Sequence, residues 1–179
     1  MDTIRHLVAG GISWRARPAN FPARARAYAF LRRRRDHGLI AGFHDRLRGT
    51  VREREGRVAE PTTGITDAQS VRAATTVPAA SRGHDGGKKV PGRKRHIVTD
   101  TLGLLPAVAV TAANTDDRDV AAAGLLMRLR RLHRDITLVW ADGGYTGSLA
   151  GRCRDKLALT LEIVKRTDDM AGFVVLPRL

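Results

Sequence analysis

The sequence predicts an α/β protein, a mixed sheet with flanking helices preceded by a small helical region. Three observations carry that expectation. From Ile4 to about Arg57 the apolar residues recur at helical spacing with charges between them. Glu60 to Gly64 is a joint rich in Pro and Thr. Beyond it the pattern changes to short apolar runs separated by turns, interleaved with amphipathic stretches, which is the signature of strands and helices alternating around a sheet. The organisation expected is therefore a helical part over 1–59 and an α/β part over 60–179.

Within the first part, Trp14 to Pro22 contains two prolines and an Asn and reads as a connection between helices. The run Arg32, Arg33, Arg34 and Arg35 marks the most basic helix, which Gly38 is placed to end. Trp14, Tyr28 and Phe30 are assigned to the core by ordinary burial preference. In the second part, Ile65 and Thr66 lead into Asp67, Arg95 to Asp100 alternates as a strand, and Leu104 to Ala113 is a longer β-prone run beyond a glycine turn. These are expected to be three adjacent, mostly antiparallel strands. Asp117 to His133 places Val120, Leu125, Leu129 and Leu132 on one stripe and arginines elsewhere, the pattern of a helix packed on a sheet. Ile136 to Trp140 is a continuous apolar run rich in β-branched residues and reads as a strand buried on both faces. Ser148 to Leu159 then gives a second helix and Leu161 to Val164 a further strand, so the order is three strands, helix, strand, helix, strand.

Composition narrows the class of partner. The 179 residues carry 32 Lys and Arg against 18 Asp and Glu, a formal charge of +14, with a sequence pI near 11.4. That excess points to a polyanion. Nucleic acid is favoured over a membrane surface because the cations are spread along the whole chain and no basic amphipathic anchor stands apart. No apolar run has the length of a bilayer span, and the N-terminus shows no secretory pattern, so a cytoplasmic protein is expected. The single Cys153 has no partner for an internal disulfide and no ligand-spaced Cys or His for zinc, and reads as a buried, neutral thiol.

The residues that point to chemistry are two aspartates. Ligands of open α/β sheets collect outside the carboxyl ends of the strands, and Asp142 stands where the run Ile136 to Trp140 ends in Gly143 and Gly144. Asp67 lies on the first strand of the same part, a plausible spatial neighbour. Converging carboxylates on a basic protein suit a hard divalent cation, and two such ions about 4 Å apart clamp the attacking and leaving oxygens of a phosphodiester. Two blander readings stand beside this one: Asp67 as the cap of a turn or of the segment Ala68 to Val71, and Asp142-Gly143 as a hairpin signal. The segment Lys88 to His96 holds Lys88, Lys89, Arg93, Lys94 and Arg95 with Gly87 and Gly92 nearby, and reads as a flexible loop able to follow DNA phosphates, with a merely solvated loop as the alternative. Gly86, Gly87 and Lys88 lack the first glycine, the spacing and the hydroxyl residue of a phosphate-binding P-loop.

The segments ITDAQSV (Ile65 to Val71), GGKKVPGRKRHIVTDTLGLL (Gly86 to Leu105) and LVWADGGYTG (Leu138 to Gly147) resemble those of DDE transposases of bacterial insertion sequences. LEIVKR (Leu161 to Arg166) and GFVVLPR (Gly172 to Arg178) continue the likeness in family order. The resemblance implies a ribonuclease H-like fold for 60–179, a helical DNA-binding region in 1–59, and double-stranded DNA, both element ends and target, as partner. It implies Mg²⁺ or Mn²⁺ as cofactor, with Asp67 and Asp142 as the first and second catalytic, metal-holding aspartates, and it leaves a homo-oligomer open. The family's third acid, a glutamate following a VLPR-like segment, has no counterpart before Leu179, and Glu162 stands before that segment on the wrong element. The expectation is thus a chain truncated at both ends, with Ala23 to Ala25 standing where relatives carry a Trp. Its parent would cleave and join DNA strands, and it would itself be inactive. Two rivals remain: a non-catalytic DNA-binding fragment that competes for element ends, and a basic RNA-binding structural protein. The second leaves both aspartate motifs unexplained and shows no aromatic RNA-binding motif.

Overall fold

The structure, a computed structural model, describes residues 2–74, 77–120 and 124–164. The chain divides into two compact units, Met1–Val51 and Arg52–Leu179. In the first unit, helix α1 (Asp2–Gly10) and the arginine-rich helix α2 (Arg24–Asp36) are joined through a short 3₁₀ turn, Trp14–Ala16, in which the Ala16 amide donates to the Ser13 hydroxyl. Gly38, at φ +70°, ends α2 as the sequence predicts, since a residue with a Cβ is strained there. Helix α3 (Leu39–Arg54) follows and runs across the division into the second unit. The assignment of Trp14, Tyr28 and Phe30 to a core does not hold. Tyr28 is 51% exposed and meets Trp14 edge-on at 5.9 Å, while Phe30 lies under the Arg34 guanidinium at 4.8 Å. The physical reason is that α2 buries only Ala27, so its aromatics find ring and cation contacts on a surface in place of an interior.

The second unit is built on one sheet. Strands β1 (Thr63–Arg72), β2 (Gly83–Asp85), β3 (Val90–Thr99) and β4 (Ala107–Ala112) are followed by helices α4 (Asp117–Val120) and α5 (Leu126–Leu132), then β5 (Leu138–Ala141), α6 (Leu149–Leu157) and β6 (Thr160–Ile163). β3 pairs antiparallel with β1 on one edge and with β4 on the other, where the short β2 also pairs with its first residues. β5 pairs parallel with β1, and β6 parallel with β5. The order β4-β3-β1-β5-β6, three antiparallel strands and then two parallel ones reached through helices, is the ribonuclease H-like mixed sheet that the resemblance implies.

One face of this sheet is the core. Val98, Ala107, Val139, Ala141 and Leu161 point into it and meet Leu125, Leu126 and Leu129 ahead of and within α5, and Leu149 and Cys153 of α6. The other face alternates outward: Ile65, Asp67, Gln69 and Val71 of β1 are exposed, as are Arg95, Val108 and Val110. The turn from β3 to β4 is fixed from beneath by Asp100. Its Oδ1 accepts the amides of Leu102 and Leu104, both at 2.9 Å, and its Oδ2 accepts from the Arg52 guanidinium at 2.6 Å.

Four expectations need correction. The segment Lys88 to His96 is not a flexible loop: from Val90 onward it is β3. Gly92 is there because Val71 brings its carbonyl oxygen to 2.0 Å from where a Cβ would stand. Asp67 caps no turn or helix, since β1 continues unbroken past Ala68 to Val71. Within Asp117 to His133 the described residues are helical, at Asp117–Val120 and again from Gly124 to Leu132, but the buried stripe differs: Leu132 is 51% exposed while Leu126 takes the buried place. Finally, β5 is buried on one face only, with Val139 and Ala141 inward and Leu138 and Trp140 partly exposed. Apolar content alone does not say whether a second layer covers a strand. Gly172 to Arg178, and the last two residues of LEIVKR, lie outside the described residues.

Candidate functional site

The parallel ladder between β1 and β5 sets the geometry. Thr63 pairs with Leu138 and Ile65 with Trp140, so the next same-face positions, two residues on, are Asp67 and Asp142. Adjacent strands lie about 5 Å apart, and a period of two returns side chains to the same face. Continued two residues beyond the paired positions, this register puts Asp67 and Asp142 on the same open face, Asp142 just past the carboxyl end of β5. Each is held by a local bond through one oxygen. Asp67 Oδ1 accepts from the Ala68 amide at 2.7 Å, and Asp142 Oδ1 accepts from the Gly144 amide at 2.9 Å as it caps the turn Gly143–Tyr145. Neither forms an ion pair among the described residues, and both residues are exposed. Two exposed carboxylates with an oxygen each to spare are a hard-donor set that fits Mg²⁺ or Mn²⁺.

Their surroundings are polar on one side and closed on the other. On the open face, Arg95 stands opposite Gln69 and donates to its Oε1 at 2.6 Å, one same-face step along β1 from Asp67. Trp140 donates its indole N–H to Glu162 Oε2 at 3.1 Å across the β5–β6 ladder, so Glu162 lies on the same face but two positions short of Asp142. Behind the Asp142 turn, Tyr145 is 1% exposed. Burial pushes its hydroxyl up to about 12, with Thr66 beside it working the other way and the carboxylates of Asp117, Asp142 and Asp67 adding to the rise.

A buried polar network lies on the core side of β3. Lys94 Nζ reaches Asp117 Oδ1 at 3.1 Å, Asp85 Oδ2 at 3.8 Å and the Thr115 carbonyl at 3.0 Å. His96 is fully buried, with Nδ1 3.5 Å from Asp117 Oδ1 and Nε2 2.9 Å from the Thr111 hydroxyl. Burial lowers the imidazole's proton affinity, against Asp117 and with help from the cations of Lys94 and Lys88. The Asp85 carboxyl is held down at about 2, chiefly by the Ser70 hydroxyl and the Lys88 amide. The sequence leaves this network unread because Lys94 falls in the segment taken as a loop, while His96 falls both there and at the start of the strand Arg95 to Asp100. Their period of two, in a run that goes on as a strand, was the available signal.

The five cations expected at DNA thus have different places. Lys94 is 8% exposed and held by its partners, which removes it from a DNA surface. Lys88 Nζ donates to the Ala68 carbonyl at 2.7 Å, and Arg93 donates to the Ser81 carbonyl and hydroxyl at 3.1 and 2.8 Å. Lys88, Lys89 and Arg95 are exposed, and Arg95, with the half-buried Arg93 two positions before it, lies on the aspartate face. Cys153 is buried and burial pushes its thiol up, as expected. No helix among the described residues is long and apolar enough to cross a membrane.

Residues 59–175 match the family model described as a transposase DDE domain. Among solved structures, the chain is similar to a piggyBac transposase in a synaptic complex with hairpin DNA, at 15% identity and a TM-score of 0.40, over 62% of this chain and 24% of that one. The chain thus spans about a quarter of that transposase's length. No curated protein sequence matches it.

Proposed function

Because this chain belongs to the transposase DDE-domain family, we propose that it is the part of a DNA transposase of the bacterial insertion-sequence type that carries the first two metal-holding aspartates, Asp67 and Asp142. The observation that supports this reading is their register: Ile65 opposite Trp140 on parallel neighbours brings the two carboxylates together on an exposed face. Bound Mg²⁺ or Mn²⁺ would supply electrostatic stabilisation of a phosphodiester in transition and favour ionisation of the attacking hydroxyl. Asp67 and Asp142 would hold that cation, and Arg95 on the same face would hold a DNA phosphate. Water would add to phosphorus as the bond to the 3′-oxygen breaks, leaving a 5′-phosphate and a 3′-hydroxyl; that hydroxyl would then attack a phosphodiester of target DNA and displace the target strand's own 3′-oxygen, with no covalent link to the protein. The helical part, 1–59, is proposed to bind duplex DNA, with the six arginines of α2 as its cationic surface and the cytoplasm as its place of action.

A second reading concerns the same residues. Two aspartates leave a pair of cations short of the charge that offsets their repulsion. On these residues alone the proposed activity is DNA and metal binding without cutting, in competition for element ends. The test is a cleavage assay on element-end DNA with Mg²⁺, comparing this chain, a version extended by a helix bearing a glutamate, and that version with Asp142→Asn. Cutting by the extended protein alone, abolished by Asp142→Asn, is the expected result. Metal-dependent cutting that survives Asp142→Asn would overturn it.

A further inference from the structure

On the helical side of the second unit, away from the aspartates, lies a concavity of about 390 Å³ lined by Met127, Arg130, Arg131, Arg134, Lys156 and Leu157. It forms where the C-terminal ends of α5 and α6 come together. Four of its six lining residues are cations and none is an acid. The nearest acids in sequence, Asp135 and Asp155, are exposed and form no ion pair among the described residues. Arg130 serves the fold: its Nε donates to the Leu157 carbonyl at 2.9 Å, and its Nη1 donates to the Arg134 carbonyl and reaches that of Ile136 at 3.4 Å. Arg131, Arg134 and Lys156 make no such bond among the described residues, and their side chains border the hollow.

Cations at helix ends have an ordinary explanation, because each helix C-terminus carries about half a negative charge. Two such ends sum to about one unit, against which Arg130, bound to the last carbonyl of α6 and to carbonyls just beyond α5, sets one positive charge. The other three cations exceed what the dipoles call for, and they face one shared hollow. Guanidinium forks and an ammonium around a concave, acid-free surface are the donor set for phosphate oxygens.

The location adds a constraint. α5 and α6 pack on the core face of the sheet, while Asp67 faces outward from the opposite side. A sheet-to-helix spacing of about 10 Å plus most of a helix diameter separates the two surfaces. A duplex lying on the aspartate face does not reach the hollow without a second stretch of DNA. We propose that Arg131, Arg134 and Lys156 form a second DNA-backbone site, which holds a duplex segment other than the one at Asp67 and Asp142. The inference rests on the reading of this chain as part of a DNA transposase.

The experiment uses the full chain and a long linear duplex, with affinity measured as salt is raised. One variant carries Arg131→Gln, Arg134→Gln and Lys156→Gln. A control of equal charge on the same two helices, outside the hollow, carries Arg128→Gln, Arg152→Gln and Arg154→Gln. The pocket variant is expected to lose about three from the slope of log affinity against log salt, about one per phosphate contact, and to bind at least about tenfold more weakly at low salt. The control is expected to lose less than about one. Equal losses in both variants, or none in either, would overturn the proposal, since binding would then be diffuse. Abolition of the pocket-dependent binding by inorganic phosphate at constant ionic strength would also overturn it, because the hollow would then be a small-anion site. Unchanged circular dichroism establishes that both variants fold. Mn²⁺ binding at Asp67 and Asp142, measured on the same proteins, separates failure of this proposal from failure of the reading beneath it.

Discussion

Replacing Asp100 by Ala removes the most demanding polar group in the second unit. The carboxylate is 1% exposed and makes three bonds at once, to the amides of Leu102 and Leu104 and to the guanidinium of Arg52, itself only 5% exposed. Arg52 also donates from Nε to the Val58 carbonyl at 2.8 Å. Removing the carboxylate strands a buried cation, which costs about 3 to 5 kcal/mol, and leaves two amides short of an acceptor. With overlap between these losses, Asp100→Ala is expected to cost about 4 kcal/mol, a fall in Tm on the order of 15 °C for a unit of this size. Asp100→Asn keeps an oxygen for the amides but not the charge, and is expected to cost about 3 kcal/mol. Urea unfolding followed by circular dichroism measures both. With Arg52→Met in the background the Asn substitution should become much milder, a coupling of about 2 kcal/mol. A loss below about 1 kcal/mol for Asp100→Ala would refute the reasoning, because a buried charge cannot be abandoned so cheaply.

Three further outcomes follow from the polar network and the core. His96 holds a proton less well in the folded chain than in the unfolded one. Stability is therefore full above about pH 6.5 and falls as pH drops below it, until the folded imidazole itself titrates. Urea midpoints between about pH 8 and about pH 5 should show that fall and His96→Gln should flatten it, whereas a rise toward acid would contradict the assignment. Lys94→Met should cost about 3 kcal/mol through the abandoned Asp117 and Asp85, while Lys89→Gly, at φ +54°, should gain about 0.5 kcal/mol; thermal melts that rank the two the other way would place Lys94 on the surface. Cys153, 2% exposed, should react with a thiolate-specific reagent orders of magnitude more slowly in the native chain than in urea, and equal rates would mean the α6 packing is wrong.

Much of the architecture was legible because it is written in periods. The alternation from Arg95 to Asp100, the glycine turn, and the strand ending at Asp142 are local patterns, and the sheet order follows from them once helices intervene. What resisted reading depends on the second layer. Lys94 looks like a loop cation in sequence, and only Asp85 of the neighbouring β2 and Asp117 of α4 make its burial tolerable. Trp140 and Leu138 look fully buried because nothing local says that one face of β5 is open. Tyr28 and Phe30 look like core because composition does not reveal that α2 buries only Ala27. The aspartates were nameable from their motifs, but their convergence is a matter of register, which pairs Ile65 with a Trp140 far along the chain.

The central claim is that Asp67 and Asp142 together hold a divalent cation. Titration of Mn²⁺ into the chain, followed by electron paramagnetic resonance of the free ion, tests it without requiring DNA or turnover. The account predicts a site that Mg²⁺ displaces, weakened at least about tenfold by either Asp67→Asn or Asp142→Asn and not weakened further by the pair, because each aspartate supplies half of one donor set. Unchanged Mn²⁺ affinity in the double variant, with the fold intact by circular dichroism, would contradict it.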